Sequence, residues 1–148
     1  MNDGATLVHA TTVTIRGWAV LLRGPSGSGK SDLALRLIDA GARLVADDQT
    51  RLWRDGDALL VGAPQSIAGL IEVRGVGLLR MAPLPVARLA LIADLVAPQH
   101  VDRLPEPSNE TIFGLALPRV VIAPFEASAA VKLRLALAVA TGEGIIAV

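Results

Sequence analysis

Hydrophobic positions along the chain predict short strands and two helices. Apolar residues at helical spacing predict helices over 32–40 and 128–140, each followed by a glycine suited to end it. Apolar or alternating stretches of strand length lie at 7–15, 18–22, 42–46, 50–54, 58–61, 71–79, 86–96 and 119–122. Two of these stretches flank Asp55-Gly56, which predicts a hairpin turn. We therefore expect helices packed against a sheet.

The region after residue 98 is less regular. The segment 99–109 is polar and interrupted by Pro105 and Pro107, which predicts an exposed loop. An apolar stretch then leads through Pro118 to the strand predicted at 119–122.

Composition narrows the classes of function. The 148 residues fit one domain, which we expect to span 1–148, and 52% of them are hydrophobic, enough for a core. The chain has 14 basic and 14 acidic residues without a basic run, which argues against nucleic-acid binding. It has no cysteine for disulfides or thiolate metal sites. No signal-peptide pattern is present at 1–4, and no apolar run reaches membrane-spanning length, so we expect a cytoplasmic protein without a membrane role.

The most informative motif is G-x-x-x-x-G-K-S, a Walker A loop between the predicted strand at 18–22 and the predicted helix at 32–40. Its residues are Gly24, Pro25, Ser26, Gly27, Ser28, Gly29, Lys30 and Ser31. Glycines let the backbone wrap closely around phosphates, and the N–H groups of the helix N-terminus point at an anion. We expect Lys30 to supply a cation for the outer phosphates and Ser31 a hydroxyl for Mg²⁺. A chance glycine loop is the alternative.

Paired carboxylates follow the strand predicted at 42–46. A strand, a helix and a second strand joined by short connections form a right-handed unit whose strands end at one sheet edge. Asp47 and Asp48 are therefore expected beside the Walker loop. Carboxylates there can hold Mg²⁺ and accept a proton from an attacking hydroxyl. The alternative is an acidic turn without a catalytic role.

Other polar residues are ambiguous from pattern alone. Glu72 and Arg74 share one strand face, where they serve either a metal and phosphate site or simply a solvated surface. Arg103, in the predicted loop, either reaches a phosphate or is solvated. His9, near a strand end, is typical of a surface or core histidine.

Four blocks in order resemble the catalytic domain of HPr kinase/phosphorylase. They are the Walker loop with its helix (24–35), the paired-aspartate block (44–48), a glutamate-arginine-glycine block (71–77) and an arginine loop (102–104). His9 also falls at the spacing of the family's catalytic histidine. The resemblance is closest to short forms that lack an N-terminal domain.

The resemblance implies an α/β P-loop kinase fold of the HPr kinase and phosphoenolpyruvate carboxykinase type, with a mixed central sheet and flanking helices. It implies phosphoryl transfer from ATP, or from pyrophosphate, with Mg²⁺ to a serine of HPr, a carrier protein of the phosphotransferase system. Family members form hexamers, so a homo-oligomer is expected. Carried over by position, Asp47 and Asp48 share the base and metal roles, His9 assists, Arg103 contacts phosphate, and the metal set is Ser31, Asp48 and Glu72.

The chain departs from the family pattern at 123–128, where the family's arginine-rich loop has no arginine here. That loop is linked to the reverse phosphorolysis, so we expect the reverse reaction to be weak. Two other functions fit a P-loop scaffold: a kinase for a small hydroxylated metabolite, and a nucleotide sensor without turnover. An enclosed pocket favours the metabolite, and an open phosphate edge favours a protein acceptor.

Overall fold

The computed structural model describes residues 4–148 as a mixed α/β fold, which confirms the predicted fold class. The strands are β1 (Thr6–Val8), β2 (Ala10–Ile15), β3 (Trp18–Arg23), β4 (Arg43–Ala46), β5 (Thr50–Asp55), β6 (Ala58–Gly62), β7 (Leu70–Val73), β8 (Gly77–Arg80), β9 (Ala87–Leu95), β10 (Ser108–Ile112) and β11 (Leu115–Ile122). The helices are α1 (Lys30–Asp39) and α2 (Ala129–Thr141). Residues 1–3, part of the segment without a signal-peptide pattern, lie outside the described residues.

The main sheet has the strand order β1-β5-β6-β9-β3-β2-β4. Strand β9 is its centre, because it pairs with β3 along one side and with both β6 and β11 along the other. The strands β3, β9 and β11 are mutually parallel, so their carboxyl ends lie at one edge. Strands β7 and β8 form a separate two-stranded hairpin.

The predicted strand–helix–strand unit is present, but its two strands are not neighbours. Strand β2 lies between β3 and β4 and is antiparallel to both. The tight turn at Arg16 and Gly17, both with positive φ, joins β2 to β3 and so fills the position beside β3. Because β3 and β4 still run in the same direction, their carboxyl ends share the edge where β9 and β11 also end.

Both faces of the central strands are buried. Alternation in β3 sends Val20 and Leu22 to one face, where α1 and α2 pack, and Ala19 and Leu21 to the other. The second face is covered by the sheet itself, which curls so that apolar residues of β5 and β6 pack in the same cluster as Val45 of β4. Two apolar layers therefore hold the strand ends that carry the site.

Three segments differ from the sequence prediction. The single strand predicted over 71–79 is the β7–β8 hairpin instead, because the chain turns at Gly75 with a positive φ, so Arg74 lies in the turn and does not share a strand face with Glu72. The strand predicted over 7–15 is interrupted at His9, because β1 pairs with β5 whereas β2 pairs with β3 and β4. The strand predicted to begin after Pro118 begins at Leu115 instead, and it forms a hairpin with β10, which the sequence predicted as loop and apolar connection. The hairpin turn places Phe113 and Gly114 at positive φ, a two-residue geometry that Phe-Gly does not signal as clearly as Asn-Gly.

Among residues 4–148, neither helix is long and apolar enough to cross a lipid bilayer.

Candidate active site

The Walker loop connects β3 to α1, as its sequence context predicts. Gly29 caps α1 with a φ of 97°, a left-handed conformation that favours glycine, and α1 begins at Lys30. At Gly24 a side chain would collide with Ser28, which faces it across the loop. The backbone N–H of Ser28 donates to the Pro25 carbonyl at 3.0 Å, which closes the loop. The result is a tight backbone ring at the N-terminus of a helix, the geometry that binds anions.

Lys30 is held inside this loop. Its Nζ donates to the carbonyl oxygens of Gly24 at 2.6 Å and Pro25 at 3.1 Å, and the residue is only 6% exposed. The loop's own carbonyls therefore keep the positive charge at the centre of the ring.

Asp47 directly follows β4 and points inward, with 8% of its surface exposed. Two hydroxyls donate to its Oδ1: Ser31 at 2.7 Å and Thr11 at 2.9 Å. The paired aspartates were predicted to lie beside the Walker loop, and Asp47 is the one that contacts the Walker serine, Ser31. The hydroxyl and carboxylate oxygens brought together here are the ligand types that Mg²⁺ prefers, so these residues fit a magnesium ion.

Asp48 points the other way. It adopts a φ of 70°, a conformation that Asp tolerates better than most residues, and its carboxylate meets the ring of His9 at 2.7 Å between Oδ1 and Nε2. The two side chains are 63% and 50% exposed, respectively. His9 reaches this position because it lies at the break between β1 and β2, beside the end of β4. The sequence-predicted trio of Asp47, Asp48 and His9 is therefore brought together, with one carboxylate buried and the other open to solvent.

Thr11 is a site residue that the sequence interpretation missed. Its hydroxyl donates to Asp47 Oδ1 and accepts the backbone N–H of Asp48 at 3.0 Å, so it orients both aspartates. The only sequence signal was an unusual density of threonine in β2, and alternation alone cannot distinguish a buried structural threonine from one that supports a site.

Glu72 and Arg103 are not brought to this cluster by any side-chain bond. Glu72 is exposed on β7, and Arg103 is exposed in the segment before β10. Within residues 4–148, no group of three or more histidine, aspartate or glutamate side chains is arranged to hold a metal ion. Ser31 pairs with Asp47, and the predicted metal set of Ser31, Asp48 and Glu72 stays a prediction. The roles of Glu72 and Arg103 stay predictions.

An ion-pair network lies directly before the loop. Arg23, the last residue of β3, donates to Asp94 of β9 at 2.7 Å and to Glu110 of β10 at 2.7 Å, and Arg119 of β11 donates to Asp94 at 2.6 Å. The bonds to Glu110 and then Asp94 raise the pKa of Arg23, and the bond from Arg23 lowers the pKa of Glu110. Burial alone would raise the pKa of Asp94, but Arg23 and Arg119 outweigh it and lower that pKa. The network ties the start of the Walker loop to the β10–β11 hairpin.

The segment 123–128 packs against the loop from the other side. The ring of Phe125 lies over Gly29, and the guanidinium of Arg36 in α1 donates to the carbonyls of Pro124 and Glu126. Lys132 of α2 also pairs with Glu126 at 3.0 Å. This segment, which has no arginine, is thus anchored by both helices.

The fold defines a P-loop protein of the α/β class. Its family follows from comparison with known proteins: residues 4–133 match the family model described as the HPr serine kinase C-terminal domain, and the chain belongs to that family. It is 39% identical over 129 residues to an HPr kinase/phosphorylase of Geobacillus thermodenitrificans, covering 79% of this chain and 42% of the relative. It is 42% identical over 128 residues to one of Leptothrix cholodnii, covering 78% and 39%.

Among solved structures, the Hpr(Ser) kinase/phosphatase of Coxiella burnetii superposes with a TM-score of 0.77 at 26% identity, over 93% of this chain and 90% of that one. The chain spans about two fifths of the length of the curated relatives named above.

Proposed function

We propose that this protein is an ATP- and Mg²⁺-dependent protein-serine kinase that phosphorylates HPr or an HPr-like carrier in the cytoplasm. Membership of the HPr serine kinase family supports the reaction class and the acceptor. The observation that carries the proposal is the opposite orientation of two adjacent aspartates, with Asp47 on the Walker serine and Asp48 on His9.

The inner residues hold the donor. Backbone N–H groups of 26–31 and the Lys30 ammonium would surround the outer phosphates, where negative charge spreads in the transition state. Ser31 and Asp47 would hold the magnesium ion. When bound, the metal neutralises phosphate charge, and Thr11 keeps Asp47 aimed at Ser31.

The outer residues act on the acceptor. A serine hydroxyl is a weak nucleophile, and it attacks the terminal phosphorus as the bond to the leaving phosphate oxygen breaks. Asp48 takes the hydroxyl proton, and ADP leaves. His9 holds the Asp48 carboxylate at 2.7 Å and so positions the base. Glu72 and Arg103 are proposed to contribute metal support and phosphate contact only when ligands are bound.

The exposure of the outer residues supports a protein acceptor over a small metabolite. More than half of the Asp48 side chain and half of the His9 side chain are exposed, so the reacting edge is open to a protein surface. A kinase for a small metabolite would be expected to enclose its base. A nucleotide sensor has no need for a base oriented by a histidine. Both alternatives therefore fit this geometry less well than a protein-serine kinase.

Two further parts of the proposal concern direction and assembly. Because 123–128 contains no arginine, inorganic phosphate has few cations to hold it, and we expect phosphorolysis to be weak. Helix α2 exposes Val131, Leu135 and Val139 at one-turn spacing, an apolar stripe that supports the expected homo-oligomer.

The test is direct phosphorylation. Purified protein, Mg²⁺ and ATP are mixed with HPr from the same organism, and intact mass followed by fragmentation identifies one added phosphoryl group on a serine. HPr with that serine changed to alanine is the matched acceptor control. The absence of phosphoserine with an active donor complex would contradict the proposal.

A further inference from the structure

A cavity of about 590 Å³ lies on the same sheet edge as the Walker loop. Three connections line it: the loop after β3 through Pro25 and Ser28, the residues after β9, and the segment after β11. These strands are adjacent and parallel, and ligands of open α/β sheets bind beyond such carboxyl ends. The volume is within the usual range of small-molecule sites, roughly 300–1,000 Å³.

The walls of this cavity are largely apolar. Leu95, Val96 and Pro98 contribute from the β9 side, and Pro124 and Phe125 contribute from the β11 side. Phe125 is one of only two phenylalanines in the chain, yet 70% of it is exposed. One edge of its ring rests on the Walker loop, since a Cβ added at Gly29 would lie 2.9 Å from Phe125 Cζ. Much of the aromatic surface is therefore bare beside the phosphate loop.

The position of Phe125 is set by the protein before any ligand binds. Arg36 of α1 donates to the carbonyls on either side of Phe125, those of Pro124 and Glu126. The Glu126 side chain is paired with Lys132 of α2. A flat surface that is held in place in advance loses little conformational freedom when a ligand stacks on it.

The strand order shows that the cavity and the paired aspartates lie on opposite sides of the Walker loop. In the strand order β4-β2-β3-β9, the Walker loop follows β3. The aspartates follow β4, which lies on one side of β3. The cavity lies on the opposite side, after β9 and β11. A polyphosphate whose reacting end meets Asp47 and Asp48 therefore directs its other end toward the cavity. In a nucleotide, that other end is the nucleoside.

We propose that this cavity holds the nucleobase of the phosphoryl donor, stacked on the ring of Phe125. The inference rests on the proposed nucleotide-dependent function and adds the subsite for the base. Stacking suits any base, because each has an aromatic face, and it is worth roughly 5-fold to 150-fold in affinity when a stacking side chain is truncated.

The test compares two ligands that share phosphates and differ in the nucleoside. Dissociation constants of ATP and of inorganic tripolyphosphate are measured by calorimetry with Mg²⁺ for the parent, Phe125→Ala, Phe125→Trp and Phe113→Ala. Phe113 is the second phenylalanine and lies in the β10–β11 turn, so its variant is the matched control. We expect Phe125→Ala to weaken the affinity for ATP roughly 5-fold to 150-fold and to leave the affinity for tripolyphosphate unchanged. Phe125→Trp keeps ATP affinity, and Phe113→Ala changes neither ligand.

Three results would overturn the base subsite while leaving the kinase proposal intact. The parent binds ATP no more tightly than tripolyphosphate, Phe125→Ala weakens both ligands equally, or Phe125→Ala weakens neither. Equal weakening would mean that Phe125 only supports the Walker loop through Gly29. If the parent binds neither ligand, the phosphate site itself is wrong, and both proposals fail together.

Discussion

Two regions of the candidate site differ in how firmly the fold holds them. The inner region, made of Thr11, Lys30, Ser31 and Asp47, is largely buried. Thr11 and Ser31 donate to Asp47, and Lys30 donates to two carbonyls of its own loop, all at 2.6–3.1 Å. The outer region, His9 and Asp48, consists of one exposed pair at 2.7 Å. The inner region is therefore shaped before a ligand arrives, and the outer region stays open to an incoming acceptor. The two adjacent carboxylates have different partners, Ser31 and His9, and this difference is why we propose different tasks for them.

The largest effect is expected in the outer region. Asp48→Asn keeps the shape of the side chain but removes the proton acceptor, so phosphoryl transfer should fall roughly 10²- to 10⁴-fold. Affinity for ATP with Mg²⁺ should be unchanged, since the inner region is intact. Single-turnover transfer to HPr and calorimetry on the same preparation check both parts. A loss of nucleotide affinity equal to the loss of rate would remove the distinction between the regions.

The next effect is expected in the inner region. Lys30→Ala removes the cation that faces the outer phosphates, and transfer should fall roughly 10²- to 10³-fold, the usual cost of a lost charge-stabilising group. Circular dichroism should show an intact fold, because Lys30 bonds only to carbonyls of its own loop. Transfer at the parent rate would show that the loop does not hold the donor.

A smaller effect is expected for the residue that positions the base. His9→Ala should lower transfer roughly ten-fold, near the low end for a hydrogen bond to a charged group because the pair is exposed. His9→Gln should recover part of that rate, since its amide N–H can donate to Asp48. A purely structural histidine would give equal rates for the two variants. Single-turnover rates at saturating ATP distinguish these outcomes.

The smallest effect concerns stability in the network before the loop. The pKa of Glu110 is lowered in the folded protein by its bond with Arg23, so its contribution is present above the unfolded pKa and is lost as pH falls through the folded value. Glu110→Gln should therefore lower Tm by a few degrees at pH 7, and the difference should shrink below about pH 4. Glu106→Gln, on the exposed loop, is the control. A difference that stays constant with pH would contradict this assignment.

The sequence predicted what depends on local spacing. The Walker pattern, its flanking strand and helix, and the Asp-Gly hairpin are short-range features, and each was confirmed in the structure. The shared edge of β3 and β4 followed from the short connections, although the insertion of β2 between them did not. That insertion depends on which strand pairs with the free side of β3, and this pairing is determined by tertiary structure and not by local sequence.

The features that the sequence did not predict depend on contacts between distant segments. The supporting role of Thr11 arises only because β2 lies beside β4, and 36 residues separate Thr11 from Asp47. The β10–β11 hairpin forms around a Phe-Gly turn held by Arg54, which donates to the Phe113 carbonyl at 2.7 Å. No local sequence pattern predicts either of these two contacts.

The division of tasks between Asp47 and Asp48 is tested most directly by the Mg²⁺ dependence of single-turnover transfer from ATP to HPr. For Asp47→Asn, we predict that the Mg²⁺ midpoint moves to higher concentration, because Ser31 loses its carboxylate partner, and that the rate partly recovers at saturating Mg²⁺. For Asp48→Asn, we predict an unchanged midpoint with a plateau lowered roughly 10²- to 10⁴-fold. This division of tasks is contradicted if both variants shift the midpoint alike, or if both keep at least about a tenth of the parental rate, since loss of a base costs far more.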